Sequence, residues 1–161
     1  MNKALFLDRD GVLNIERGEY TYKVEDTRLV PGIGQALKEV KRKGYKVIVV
    51  SNQSGIAKGL YDHADVAAVN QVIIDHLSPF NVSLDAIYYC PHHPEKGRCL
   101  CRKPLALLFE KAIKCFDLDP SNSLMIGDKP RDIEAAENAG IRGLLIEANT
   151  ALDLVLKNSD L

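Results

Sequence analysis

The sequence predicts an α/β fold, a three-layer sandwich built around a mostly parallel sheet. Short apolar runs closed by a polar residue recur along the chain. Stretches with helical three-and-four spacing lie between them. The runs are continuous rather than alternating, as expected of parallel strands buried on both faces.

The first run is Ala4-Leu-Phe-Leu-Asp8, and the second is Val47-Ile-Val-Val-Ser51. Between them Ile33, Ala36, Leu37 and Val40 form a helical stripe, and Gly44 is a natural stop. A second helix is expected from Asp62, its N-cap, to Leu77, with Val66, Val69, Ile73 and Leu77 inward. Ala86-Ile-Tyr-Tyr-Cys90 is the third strand. A third helix is expected to start at Pro104 and to bury Leu105, Leu108, Phe109, Ala112 and Phe116, with Cys115 as a buried core thiol. Leu124-Met-Ile-Gly-Asp128 is the fourth strand, and a helix from Arg131 to Ala139 follows, stopped by Gly140. Leu144-Leu-Ile-Glu147 and a helix over Ala151 to Lys157 complete a Rossmann-like series. In such sheets ligands sit beyond the carboxyl ends of the strands, where strand order reverses. Asp8, Ser51 and Asp128 all stand at those ends.

At 161 residues the chain reads as one domain, 1–161, able to bury a sizeable core. Its 46% apolar and 27% charged fractions are those of a folded globule. A net charge of −1 argues against a nucleic-acid partner. No run approaches the ~20 apolar residues of a membrane span. The apolar stretch before Asp8 is too short for a signal-peptide core. The expectation is a cytoplasmic monomer without membrane contact.

Four segments carry candidate chemistry. Asp8-Arg9-Asp10-Gly11 places two carboxylates after a strand, where one can attack and its neighbour can shuttle protons; a surface turn uses the same residues. Ser51-Asn52-Gln53-Ser54-Gly55 offers a hydroxyl and backbone amides to an anion, or simply a turn. Arg102-Lys103-Pro104 puts two cations at the expected start of the third helix, where the dipole disfavours them unless an anion binds. Gly127-Asp128-Lys129-Pro130-Arg131-Asp132 holds two carboxylates suited to Mg²⁺, with Asp132 alternatively a helix N-cap.

A further cluster combines Cys90, His92, His93, Cys99 and Cys101 within twelve residues. Three thiolates and one imidazole make a closed, structural Zn²⁺ site, and either histidine could serve. Reduced thiols without metal are the alternative.

In order and position, the four segments resemble the motifs of the haloacid dehalogenase superfamily of phosphohydrolases over residues 4 to 147. The resemblance implies Asp8 as nucleophile, Asp10 as general acid and base, Ser51 as a phosphoryl hydrogen-bond donor, and Lys103 as the neutralising cation. It implies Mg²⁺ on Asp8, the Asp10 carbonyl and Asp128. The Cys/His loop is similar to that of a branch whose members hydrolyse a heptose bisphosphate or histidinol phosphate, and that branch places the zinc ligand at His92. The His92-His93 doublet, Ser54-Gly-Ile-Ala-Lys-Gly59 and Gly18-Glu-Tyr20 favour a heptose bisphosphate, while the short segment from His93 to Cys99 is similar to the histidinol phosphatases. A non-catalytic zinc-loop module is a third reading, against which the complete set of motif residues argues.

Only 40 residues separate Asp10 from Ser51, leaving no room for a cap domain. The loop from Asn14 to Val30 and the zinc loop must roof the site. Candidate substrate contacts are Glu16, Arg17, Gly18, Glu19, Asn52, Gln53, Ser54, Arg102 and Lys129. Arg17, Lys58 and Arg102 could serve a second phosphate.

Overall fold

The computed structural model describes residues 1–159; Asp160 and Leu161, the last two of the expected domain, lie outside the described residues. The chain runs β1 (Lys3–Leu7), α1 (Ile33–Arg42), β2 (Tyr45–Asn52), α2 (His63–Leu77), β3 (Ala86–Cys90), α3 (Leu107–Phe116), β4 (Leu124–Gly127), α4 (Pro130–Asn138), β5 (Arg142–Leu145) and α5 (Leu152–Lys157). The strands form one parallel sheet in the order β3-β2-β1-β4-β5. The chain lays down β1 to β3 in one direction, then returns to the other side of β1 for β4 and β5. The reversal therefore falls between β1 and β4, and the crevice outside their carboxyl ends is where such sheets bind ligands.

Successive side chains point to opposite faces of a strand, so a doubly covered sheet needs apolar residues at every position. Leu5, Leu7, Val47, Val49 and Ile126 pack in one core with Ile33 and Leu37 of α1, Ile73 of α2 and Leu152 of α5. Ala4, Phe6, Ile48, Val50 and Met125 pack in the other with Leu108, Phe109 and Ala112 of α3 and Ala135 of α4. Full burial of each larger side chain is worth about 1.5–3 kcal/mol, which explains why β1 and β2 carry almost no polar residue before their last positions.

Local chemistry sets the helix ends. Asp62 Oδ1 accepts from the Asp65 N–H at 3.0 Å, and Asp65 Oδ2 accepts from the Asp62 N–H at 2.9 Å, a reciprocal cap for α2. β5 starts two residues earlier than its apolar run, because Gly143 is a strand residue without a side chain. A Cβ there would collide with Ile133 of α4.

The third helix differs from its sequence expectation. α3 starts at Leu107, not Pro104, and Leu105 is exposed. The backbone of Lys103 is held by the Asn52 side chain, whose Oδ1 accepts from the Lys103 N–H and whose Nδ2 donates to the Lys103 carbonyl, both at 3.1 Å. That pairing keeps residue 103 out of a helical turn. Arg102 and Lys103 are therefore not at a helix N-terminus, and the dipole argument for an anion there falls. Cys115 is exposed rather than buried, lying beyond the edge of the stripe made by Leu108, Phe109 and Ala112; Phe116 is half-buried.

Between β1 and β2 the described residues hold a single 3₁₀ turn, Val24–Asp26, besides α1, and no cap domain is inserted. The loop over 14–30 is tied down instead. The Glu16 N–H donates to Asn149 Oδ1 at 2.7 Å, and Asn149 Nδ2 donates back to the Glu16 carbonyl at 3.1 Å. No helix is long and apolar enough to cross a membrane.

Candidate active site

β1 delivers Asp8 to the crevice, its N–H still bonded to the Ile126 carbonyl of β4 at 3.1 Å. Asp8, Lys103 and Asp132 meet there with almost no contact with solvent. Lys103 Nζ lies 2.6 Å from the Val50 carbonyl, 2.7 Å from Asp132 Oδ1 and 3.0 Å from Asp8 Oδ1. An ammonium has three donors, and these three oxygens surround it. Burial pulls the Lys103 pKa down, but the charges and hydrogen bonds of Asp8 and Asp132 outweigh it and hold the group above its ordinary value. For Asp8 burial dominates: it lifts the carboxyl to about 7, Lys103 opposing and Asp132 and Asp10 reinforcing. Two buried carboxylates facing one ammonium leave a surplus negative charge, and a proton or a cation relieves it.

Asp128 leaves β4 beside this group. A Cβ on Gly11 would lie 2.7 Å from Asp128 Oδ2, so the turn after Asp10 passes against the carboxylate only because residue 11 is glycine, at φ +91°. One carboxylate oxygen from each of Asp8, Asp128 and Asp132 lies within 4.8 Å of the other two. Asp132 is not an N-cap. It sits in the first turn of α4 with Oδ1 2.7 Å from Lys103 Nζ and Oδ2 accepting from the Lys129 N–H at 3.0 Å. Both Asp128 oxygens are buried with no hydrogen-bond partner, and Lys129 Nζ lies 3.0 Å from Oδ2. An orphan carboxylate oxygen facing Asp8 fits a hard, oxygen-seeking cation such as Mg²⁺.

Asp10 is held by donors. Arg9 reaches it through Nη2 at 3.0 Å and Nε at 3.3 Å, Asn14 Nδ2 donates at 2.9 Å, and Gln53 Nε2 donates at 3.0 Å. The Arg9 side chain is buried and also donates to the Thr21 carbonyl at 2.8 Å, which fixes the loop above the crevice.

A cavity of about 450 Å³ opens over these groups. Of the residues expected to contact substrate, Glu16, Gly18, Glu19, Asn52, Ser54, Arg102 and Lys129 line it, together with Ser51. Arg17 does not: it turns away to Glu19 and to Asp26, 3.2 Å from Asp26 Oδ2. Lys58 lies over the Tyr20 ring, 5.8 Å from its centroid, instead of in the cavity. Gln53 is buried behind the wall. Tyr20, Thr21, His93 and Arg131 line the cavity unforeseen. Proximity in sequence to Glu19 and to Lys129 was the signal available for Thr21 and Arg131. For His93 it was the doublet.

The Cys/His group forms as the spacing suggests. Cys90 Sγ lies 3.7 Å from Cys99 Sγ and 3.5 Å from His92 Nδ1, which lies 3.3 Å from Cys101 Sγ. A tetrahedron with zinc bonds of about 2.1 and 2.3 Å has edges of about 3.5–3.8 Å, so the four atoms fit the ion. His93 is outside this group, its Nδ1 accepting from the Glu95 N–H at 3.2 Å. Burial pushes the Cys90 thiol up to about 12, a proton that a bound metal would displace. Arg102 Nη1 donates to the His92 carbonyl at 3.3 Å, joining the loop to the cavity wall.

The fold and the acidic crevice define a class. A family model for the haloacid dehalogenase-like hydrolases matches residues 2–140, and the chain belongs to that family. Among curated relatives, the chain is 41% identical, over an alignment 171 positions long, to the D-glycero-beta-D-manno-heptose-1,7-bisphosphate 7-phosphatase of Haemophilus ducreyi, with 97% of this chain and 93% of the relative covered. It is 40% identical over 144 residues to the D-glycero-alpha-D-manno-heptose-1,7-bisphosphate 7-phosphatase of Campylobacter jejuni, with 89% and 81% covered. Among solved structures, the D,D-heptose 1,7-bisphosphate phosphatase from B. bronchiseptica, complexed with magnesium and phosphate, superimposes with a TM-score of 0.86 at 31% identity, covering 98% of this chain and 87% of that one.

Proposed function

We propose that this chain is a Mg²⁺-dependent phosphatase that removes the C7 phosphate of D-glycero-D-manno-heptose 1,7-bisphosphate. The observation that carries this reading is the buried Asp8–Lys103–Asp132 group beside the orphan Asp128 oxygen, at the floor of a cavity walled by Arg102, Lys129 and Arg131. Relatives named for this reaction, at about 40% identity over most of the chain, support the sugar.

In this reading Asp8 attacks phosphorus and the bond from phosphorus to the sugar oxygen breaks. Asp10 gives its proton to the departing oxygen. Asp10 then takes a proton from water, which attacks the phosphoaspartate and releases inorganic phosphate. Lys103 favours the ionised form of Asp8 against the cost of burial, and Ser51 donates to a phosphoryl oxygen. Mg²⁺, held by Asp8, Asp128 and the Asp10 carbonyl, would neutralise charge on the phosphoryl group. Zn²⁺ on Cys90, His92, Cys99 and Cys101 would fix the loop that presents Arg102. The cationic wall receives the second phosphate, with Glu16 and Glu19 toward the sugar hydroxyls. The enzyme works as a cytoplasmic monomer on a free metabolite.

The test is phosphate release from both heptose bisphosphate anomers, fructose 1,6-bisphosphate and histidinol phosphate, with and without Mg²⁺. One heptose anomer should have the highest kcat/KM, and EDTA should abolish it until Mg²⁺ returns. A preference for histidinol phosphate would overturn the substrate, and metal-independent turnover would overturn the mechanism.

A further inference from the structure

Gln53 is the buried polar side chain at the crevice that the proposed reaction leaves without a task. Its amide is fully employed. Nε2 donates to Ser51 Oγ at 2.8 Å and to Asp10 Oδ2 at 3.0 Å, while Oε1 accepts from the Tyr61 hydroxyl at 2.8 Å and from Arg9 Nη2 at 3.3 Å. The phenol and guanidinium, both donors here, fix which end of the amide is oxygen, so the NH₂ must face Ser51 and Asp10. Tyr61 is itself immobilised. Its ring stacks on Tyr22 at 5.1 Å with an interplanar angle of 11°, and it packs so closely on Gly55 that a Cβ there would collide with it.

We propose that Gln53, locked by Tyr61, is a positioning residue for proton transfer: it sets the Asp10 carboxyl relative to the leaving oxygen and orients Ser51 toward the phosphoryl group. Accepting the Gln53 N–H occupies a lone pair of Ser51 Oγ and leaves its hydroxyl proton for the substrate. The same NH₂ restricts rotation of Asp10, whose other oxygen is held by Asn14. The proposal rests on Asp10 being the general acid.

A misplaced acid harms substrates whose leaving oxygen needs a proton and spares those that leave as stable anions. The experiment compares kcat/KM for an alkyl monophosphate and for p-nitrophenyl phosphate in Gln53→Met, Tyr61→Phe and Asp10→Asn, with melting temperatures recorded for each. In Gln53→Met the loss on the alkyl ester should exceed that on the aryl ester by about 30-fold, and in Tyr61→Phe by about 5-fold, each a part of the roughly 10²–10⁴-fold that a general acid contributes. Equal losses on both esters would overturn the role toward Asp10, and no loss on either would overturn the proposal whole. Tyr61→Phe removes one oxygen and keeps the ring stack, so it tests the idea even where Gln53→Met folds poorly. Should Asp10→Asn itself lack the leaving-group dependence, the acid assignment is wrong. Should it show the dependence while the other two variants do not, Gln53 alone is wrongly assigned.

Discussion

Lys103 and Asp8 frame the electrostatics at the scale of single residues. Lys103 Nζ already has three oxygens within 3.0 Å, so receiving a phosphoryl oxygen means loosening one of these contacts. The Asp8 contact is the longest of the three and the natural one to yield. Ionising Asp8 without a metal is unfavourable, and this has a pH signature. Its folded-state pKa, about 7, lies above its unfolded value near 4. Between those values the folded state keeps a proton that the unfolded state has lost. Stability of the metal-free protein is therefore present below about pH 4 and falls by up to about 1.4 kcal/mol per pH unit as pH rises to about 7. Asp8→Asn removes that slope. In EDTA, the variant's melting temperature should gain on that of the parent as pH rises from 5 to 8, while phosphatase activity with Mg²⁺ falls by several orders of magnitude. Parallel stability curves would show that Asp8 is not strained by burial, and near-normal turnover would remove it from the nucleophile role.

Individual elements show what a sequence can and cannot disclose. β1, β2 and β4 were legible because burial on both faces forces a continuous apolar run, the half-buried edge strand β3 because its run is rich in β-branched and aromatic residues, and α2 because Asp62 and Asp65 cap it through local bonds. The start of α3 was not legible, because what anchors the backbone of residue 103 outside the helix is the side chain of Asn52, 51 positions away in sequence. The fate of Cys115 was lost at the same resolution, since one step around a helix separates a stripe from its edge. The Cys/His loop was legible as a cluster because its spacing is short. Only coordinates separate His92, among the sulfurs, from His93, on the cavity wall. That geometry joins the loop to Arg102, while Cys90 is anchored in the core beneath α3, with Cys99 and Cys101 packed against its edge. Cys99→Ser should release zinc, measured as metal per chain, and let residues 90–101 loosen. Arg102 would then drift, and a displacement of ~1 Å can lower the rate ~100-fold. We expect kcat/KM to drop 10- to 100-fold with a melting temperature only a few degrees lower. Global unfolding would show instead that zinc secures the whole sheet.

For the molecule as a whole, strand order is the deciding feature. Asp8, Ser51 and Asp128 were assigned to one edge from runs of apolar residues alone, since any parallel sheet collects its carboxyl ends. Sequence could not place the loop over 14–30, which is held by the exchange between Asn149 and Glu16 and by Arg9 on Thr21, contacts between residues without hydrophobic periodicity. Nor could it show Gln53 turning inward, since an amide beside a serine reads equally well as a ligand. A sheet with every reactive group on one rim has an idle opposite rim. There the α1–β2 turn passes through Gly44, at φ +82°, with no atom within 4 Å of where a Cβ would stand. This turn is a natural graft point. A flexible segment of ~8 residues spliced in before Gly44 should be tolerated, as loop extension adds only about 0.6 kcal/mol per doubling of length. Activity should stay within threefold of the parent, whereas the same segment before Gly55 should abolish it. If so, a fluorescent or affinity module could be carried internally, leaving both chain ends and the catalytic rim untouched.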